Sequence, residues 1–215
     1  DAVPVPRSDT PAPTALYYLH LVNTLFGTNI ASSLPTLDIT DAHHNAASAM
    51  LPPHDGPLVL LVPGASKEEK RWPAAKFAAV ADALHENHGC TCCIVASPQE
   101  REIAAAITEV TTEPIVDLSS EPFGLGSLKA AVAMADLLIT NDTGPRHLAV
   151  ATGTPTVTLY GPTDARWTAY DGDNNTPLLA DPFLPVGLVA DDNPRRCTID
   201  RITVGDVLAA ALRHI

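Results

Sequence analysis

The residues best suited to chemistry stand where two apolar runs break. In ITNDTGPRHLAVATGTPTVTLYGPTD, residues 139–164, one run breaks into Asn141-Asp142-Thr143-Gly144-Pro145 and the next into Gly161-Pro162-Thr163-Asp164. A strand that ends in Asp142-Thr143-Gly144 and enters a helix offers backbone N–H groups and the positive end of a helix dipole, which together form an anion site. Pro145 is compatible, because a first-turn N–H has no partner inside the helix. The same residues also suit a plain cap, with Asp142 or Thr143 at the N-cap and nothing bound. A second loop, Ser66-Lys67-Glu68-Glu69-Lys70-Arg71-Trp72-Pro73, likewise follows an apolar run and precedes a helix. It gathers three of the chain's thirteen basic residues, the compensation a phosphate requires. Lys70 and Arg71 adjoin the proline that opens the helix, so at least one of them can reach over the strand ends. A solvated turn would carry the same charges.

Other candidates are weaker. His147 lies one turn into the helix after the Asp-Thr-Gly break, near the expected anion, and a packed helix histidine reads the same way. Asp171-Gly172-Asp173 resembles an acidic triplet that holds a metal against a diphosphate, but Asp-Gly-Asp-Asn-Asn is foremost a turn sequence. No metal site is expected there or at His43-His44. Gly124 and Gly126 lack the third glycine of a dinucleotide fingerprint, and no P-loop is present. No Ser-His-Asp or Cys-His set can be assembled. Cys90, Cys92 and Cys93 alternate on a short apolar run and suit buried strand thiols in a reducing compartment better than a zinc site.

The elements that must position these loops repeat. From residue 58, PLVLLVP is followed by PAAKFAAVADALHENHG, TCCIVAS by PQEREIAAAITEV, PIVDLS by SLKAAVAMA, DLLIT by GPRHLAVATG, and PTVTLYG by a shorter segment around DARWTAY. Short continuous apolar runs alternating with amphipathic helices predict βα units, hence an α/β fold with a doubly wound parallel sheet. A weaker run, TPLLA, and a helix, VGDVLAAALRHI, close the chain. Upstream, four prolines in fourteen residues predict an extended tether, and TALYYLHLVNTLFG predicts a helix capped by Thr14 and ended by Gly27. Residues 28–57 show no long periodic segment and read as a linker with one short edge strand. The domain boundary therefore falls at 57/58, with linker and helix in 1–57 and a Rossmann-like domain in 58–215. Ligands of such sheets bind at the carboxyl ends of the strands, where both breaks, the Ser66–Pro73 loop and ASPQE all fall.

With 46% hydrophobic residues the 215-residue chain can bury a core, and a net charge of −12 argues against a nucleic-acid partner. No apolar run reaches the roughly 20 residues needed to span a bilayer.

KRWP before an alanine-rich helix, PQE after the second strand, and the segment 139–164 together resemble the ADP-heptose:lipopolysaccharide heptosyltransferase family, glycosyltransferases of the GT-B fold. The resemblance covers roughly 58–215 and implies the C-terminal, donor-binding half, with the acceptor domain and its general base upstream and absent. It implies an inverting transfer from a nucleotide-sugar donor of the ADP-heptose type to a glycan or lipopolysaccharide-core acceptor. No cofactor is implied beyond that donor substrate. By the same resemblance Lys70 faces the donor phosphates, Thr143 and Gly144 supply the amide cradle, and Asp142 turns to the donor sugar. Glu100 lies near the ribose hydroxyls, and His147, Gly161 and Thr163 border the pocket, while Ser66 is a donor-binding candidate from its place in the basic loop. Arg146 stands where the family usually has an apolar residue, and its charge is expected to alter which donor fits. A cytoplasmic location follows, with at most peripheral membrane association. Two other readings stay open: a non-catalytic nucleotide-binding module, and a nucleotide-sugar epimerase preferring UDP.

Overall fold

The computed structural model describes residues 10–32, 34–120, 123–170 and 174–215. Six parallel strands form one sheet in the order β3-β2-β1-β4-β5-β6: β1 (Leu58–Val62), β2 (Thr91–Ile94), β3 (Ile115–Asp117), β4 (Leu137–Asn141), β5 (Thr156–Tyr160) and β6 (Asn175–Leu179). The sixth strand contains the TPLLA run. The helices are α1 (Thr14–Phe26), α2 (Asp41–Met50), α3 (Ala74–His88), α4 (Arg101–Val110), α5 (Leu125–Met134), α6 (Gly144–Thr152) and α7 (Val204–Ala211). Among the described residues only a 3₁₀ turn, Ala165–Trp167, stands after β5 where a short helix is expected.

Why the central strands read as unbroken apolar runs is visible in β1. Val59 and Leu61 enter one core with residues of α3, α4 and α7, whereas Leu58, Leu60 and Val62 enter a second core with residues of α2, α5 and α6. Both faces are covered, so alternation has no solvent side to report. Each buried Leu, Ile or Val stabilises the domain by about 1.5–3 kcal/mol relative to exposure. Cys92 and Cys93 take opposite faces of β2. All four cysteines are buried and free, and burial pushes the Cys92 and Cys93 thiols up to about 12. They pack as small hydrophobes.

The upstream region departs from expectation. Residues 41–50 are helical where no helix is expected: Thr40 and His43 form a capping box, and Ala47 and Leu51 enter the second core. The short helix hid because it opens on the polar residues Asp41, His43, His44 and Asn45 and buries only Ala47. Thr14 is the first helical residue of α1 and not its cap. Its hydroxyl donates to the Trp167 carbonyl at 2.9 Å, linking α1 to the turn after β5. Gly27 ends α1 with φ 63°.

Candidate functional site

The strand order reverses between β1 and β4, and the loops leaving these strands part to open a crevice at the sheet's carboxyl edge. Sequence reasoning overlooked the residue that holds the two sides together. Asn141, the buried last residue of β4, donates through Nδ2 to the Pro63 carbonyl at 2.7 Å and accepts from the Trp72 amide at 3.2 Å. It thus pins both ends of the 63–72 loop. Trp72 is itself anchored, its indole N–H donating to the Ile202 carbonyl at 3.0 Å. The available signal was a lone amide at the end of an otherwise apolar run, which reads as the start of a turn.

Within that loop the basic residues have separate fates. Arg71 folds back to donate twice to the Ala65 carbonyl, and Lys67 stands in solvent beside Glu69. Lys70, on the 3₁₀ turn Glu68–Lys70, is the one that crosses: its Nζ lies 3.7 Å from Asp142 Oδ2. The two corners singled out in the sequence are therefore adjacent. Helix α6 begins at Gly144 with Thr143 as N-cap, and no side chain caps it. Its first amides and dipole are left to whatever enters the crevice.

Beside Thr143 lies a cavity of about 240 Å³ lined by Val62, Gly64, Val95, Ala96, Ser97, Pro98, Glu100, Phe123, Leu128, Thr143 and Pro145. Its walls are apolar apart from Ser97, Glu100 and Thr143. Glu100 is braced, its Oε2 accepting from the Ser97 amide at 3.0 Å and hydroxyl at 2.7 Å. Gly64 makes room for that carboxylate, since a Cβ there would overlap it. Ser66 is exposed on the rim of the first loop.

On the other side, Gly161 lets the β5 loop meet the Lys70 turn, because a Cβ would come within 2.7 Å of Ile199 and 3.3 Å of the Glu69 carbonyl. Thr163 is half-buried in the same loop. His147 Nδ1 pairs with the Tyr170 hydroxyl at 2.8 Å; burial, then the Arg146 charge, lowers its pKa against the opposing pull of Asp142. The Arg146 side chain is wholly buried. It runs beneath the helix start to Asp142, at 3.3 Å, and to the Thr168 carbonyl, between the rings of Tyr160 and Tyr170. Asp171–Asp173 lies outside the described residues. Among the described residues no cluster of three His, Cys, Asp or Glu side chains could hold a metal, and no helix is long and apolar enough to cross a membrane.

The switch-point crevice of this Rossmann-type sheet thus carries an ammonium, an uncapped helix start and a braced carboxylate. Residues 9–181 match the model of glycosyltransferase family 9 (heptosyltransferase), and the chain belongs to that family. Over 104 residues it is 33% identical to the lipopolysaccharide core heptosyltransferase OpsX of Haemophilus influenzae, an alignment covering 47% of this chain and 29% of that protein. The crystal structure of a family 9 glycosyl transferase from Veillonella parvula superposes with TM-score 0.84 at 24% identity, over 98% of this chain and 61% of that one. The Escherichia coli heptosyltransferase WaaC with ADP superposes at 0.69 and 18% identity, over 98% and 58%. The chain thus spans less than two thirds of the relatives it matches, and the solved structures share its α/β, GT-B-type fold.

Proposed function

We propose that this chain is the donor-binding part of a heptosyltransferase-like glycosyltransferase and takes an ADP-sugar of the ADP-heptose type. The observation that carries the reading is the approach of Lys70 to the Asp142 corner across the switch point, 3.7 Å apart, beside the uncapped start of α6. A diphosphate seated there would meet one ammonium and the first amides of the helix. The neighbouring cavity would take the nucleoside, its apolar walls against the base and Glu100 toward the ribose hydroxyls. Family membership and the solved relative described with ADP support adenine as the base.

In inverting transfer an acceptor hydroxyl attacks the anomeric carbon while the diphosphate leaves. Negative charge grows on the leaving oxygen, and Lys70 and the Thr143 and Gly144 amides are arranged to stabilise it without reorganising. We assign Asp142 to the donor sugar, and acceptor binding and the general base to a part of the protein outside these residues. The acceptor would be a lipopolysaccharide core or another surface glycan. Titrating the chain with ADP by calorimetry tests the reading. Micromolar binding, weaker for UDP, is expected; absence of ADP binding would overturn it.

A further inference from the structure

Arg146 is enclosed on every side that the described residues show. It is fully buried, donates to the Thr168 carbonyl, and stacks with Cζ 5.5 Å from the Tyr160 ring centre and 5.4 Å from that of Tyr170. Its Nη1 has no hydrogen-bond partner among the described residues. Burying a guanidinium with one nitrogen unsatisfied is costly, and an apolar side chain in the same slot would avoid that cost. What the cation supplies is a positive charge directly beneath Asp142, with Nε 3.3 Å from Oδ1.

Asp142 therefore stands between two cations of unequal freedom. Arg146 cannot leave its slot. Lys70 can: its side chain is 22% exposed, it stands on a flexible four-carbon stem, and its Nζ is 3.7 Å from Oδ2, beyond hydrogen-bond length. We propose that Arg146 is a positioning residue acting through Asp142: it neutralises the carboxylate from below, so that Lys70 is only loosely held and can swing to an anion at the start of α6. Without Arg146, Asp142 would have Lys70 as its sole counter-ion among the described residues, and an incoming anion would compete with a full carboxylate for the same ammonium. The proposal rests on the crevice being an anion site, but not on adenine or on any sugar.

Inorganic pyrophosphate is therefore the probe, titrated by calorimetry into the wild-type chain and the R146M, D142N and D142N/R146M variants, with melting temperatures recorded for each. R146M is expected to weaken pyrophosphate binding about tenfold, and D142N/R146M to bind within about twofold of D142N alone, because the carboxylate that captured Lys70 is gone. Where R146M does not fold, R146Q fills the slot without charge and is expected to show the same loss. Unchanged binding in R146M or R146Q, a double variant as weak as R146M, or a wild-type chain that binds no pyrophosphate each overturns the proposal. ADP binding no tighter than pyrophosphate, with the variant pattern intact, would instead sink the nucleotide-sugar reading and leave this one standing.

Discussion

Two corners of the sheet's carboxyl edge each present an aspartate to arginine, and they are built to opposite ends. At the β5 corner, Asp164 is saturated. Arg166 donates to it twice, at 2.8 and 2.7 Å, and the Ala190 and Arg166 amides add two more hydrogen bonds at 3.1 Å. Arg166 in turn donates to the carbonyls of Val186 and Leu188, fastening the 186–190 segment over the strand ends. At the β4 corner, Asp142 meets its two cations at 3.3 and 3.7 Å, next to an uncapped helix. A carboxylate whose acceptor sites are all filled by its own chain holds structure together. One whose partners stay at arm's length beside an uncapped helix start is what the proposed anion site requires.

That contrast predicts which corner fails in which assay. Lys70→Ala should weaken ADP binding by at least thirtyfold, roughly 2 kcal/mol, with the melting temperature within about 1 °C of wild type. An equal loss of stability and affinity would erase the distinction between the corners. Asp164→Ala should do the reverse. It strands Arg166 and the Ala190 amide, and should cost about 3 kcal/mol of stability, lowering the melting temperature by some 6–12 °C, while the remaining folded protein keeps ADP affinity within about threefold.

The pH dependence of Asp164 has a definite sign. Burial alone would raise its pKa, but hydrogen bonds from Arg166 and the Ala190 amide hold it below the usual carboxylate range. A depressed folded pKa contributes stability that is fully present above the unfolded value near 4 and is lost as pH falls through the folded value. In urea titrations between about pH 5 and 2, Asp164→Asn should show a shallower loss of stability than wild type. A parallel slope would contradict the assignment.

Asn141 joins the two functions. Asn141→Ala removes the clamp on the Lys70 loop and leaves the Trp72 amide buried, costing about 1–3 kcal/mol. Because Lys70 is then less well placed, ADP affinity should drop about fivefold even at temperatures where the variant is fully folded. The smallest effect belongs to His147. Its depressed pKa keeps it neutral near pH 7, so its stabilising share is present above about 6.5 and declines as pH falls below that value; His147→Gln should flatten this part of the curve by less than about 1 kcal/mol.

What the sequence discloses and what it conceals divide along the same lines. Parallel strands buried on both faces carry a dense apolar signal, so the sheet and the loops at its carboxyl edge could be read directly, and Lys70 and Thr143 could be matched to neighbouring loops. The direction of a side chain carries no such signal. Nothing local says that Arg71 folds back on Ala65 while Lys70 crosses to Asp142, or that Arg146 dives between two tyrosines contributed by residues 14 and 24 positions later. Asn141 looked like turn punctuation because its partners, Pro63 and Trp72, lie 78 and 69 residues upstream. Helix α2 was missed for a related reason: only Ala47 of its ten residues is buried, so the packing that stabilises it belongs to α5 and not to its own pattern.

The central claim is that ADP seats at the β1–β4 crevice and not at the apolar cavity of about 200 Å³ lined by Tyr160, Asp164, Asp181 and Cys197 at the β5–β6 ends. Amide chemical-shift mapping of the isotope-labelled chain during ADP titration tests it directly. The largest shifts are predicted at Gly64, Ser97, Thr143 and Gly144, with Ala165, Ala180 and Leu184 unmoved. Shifts concentrated at those last three residues, with the α6 amides silent, would contradict it.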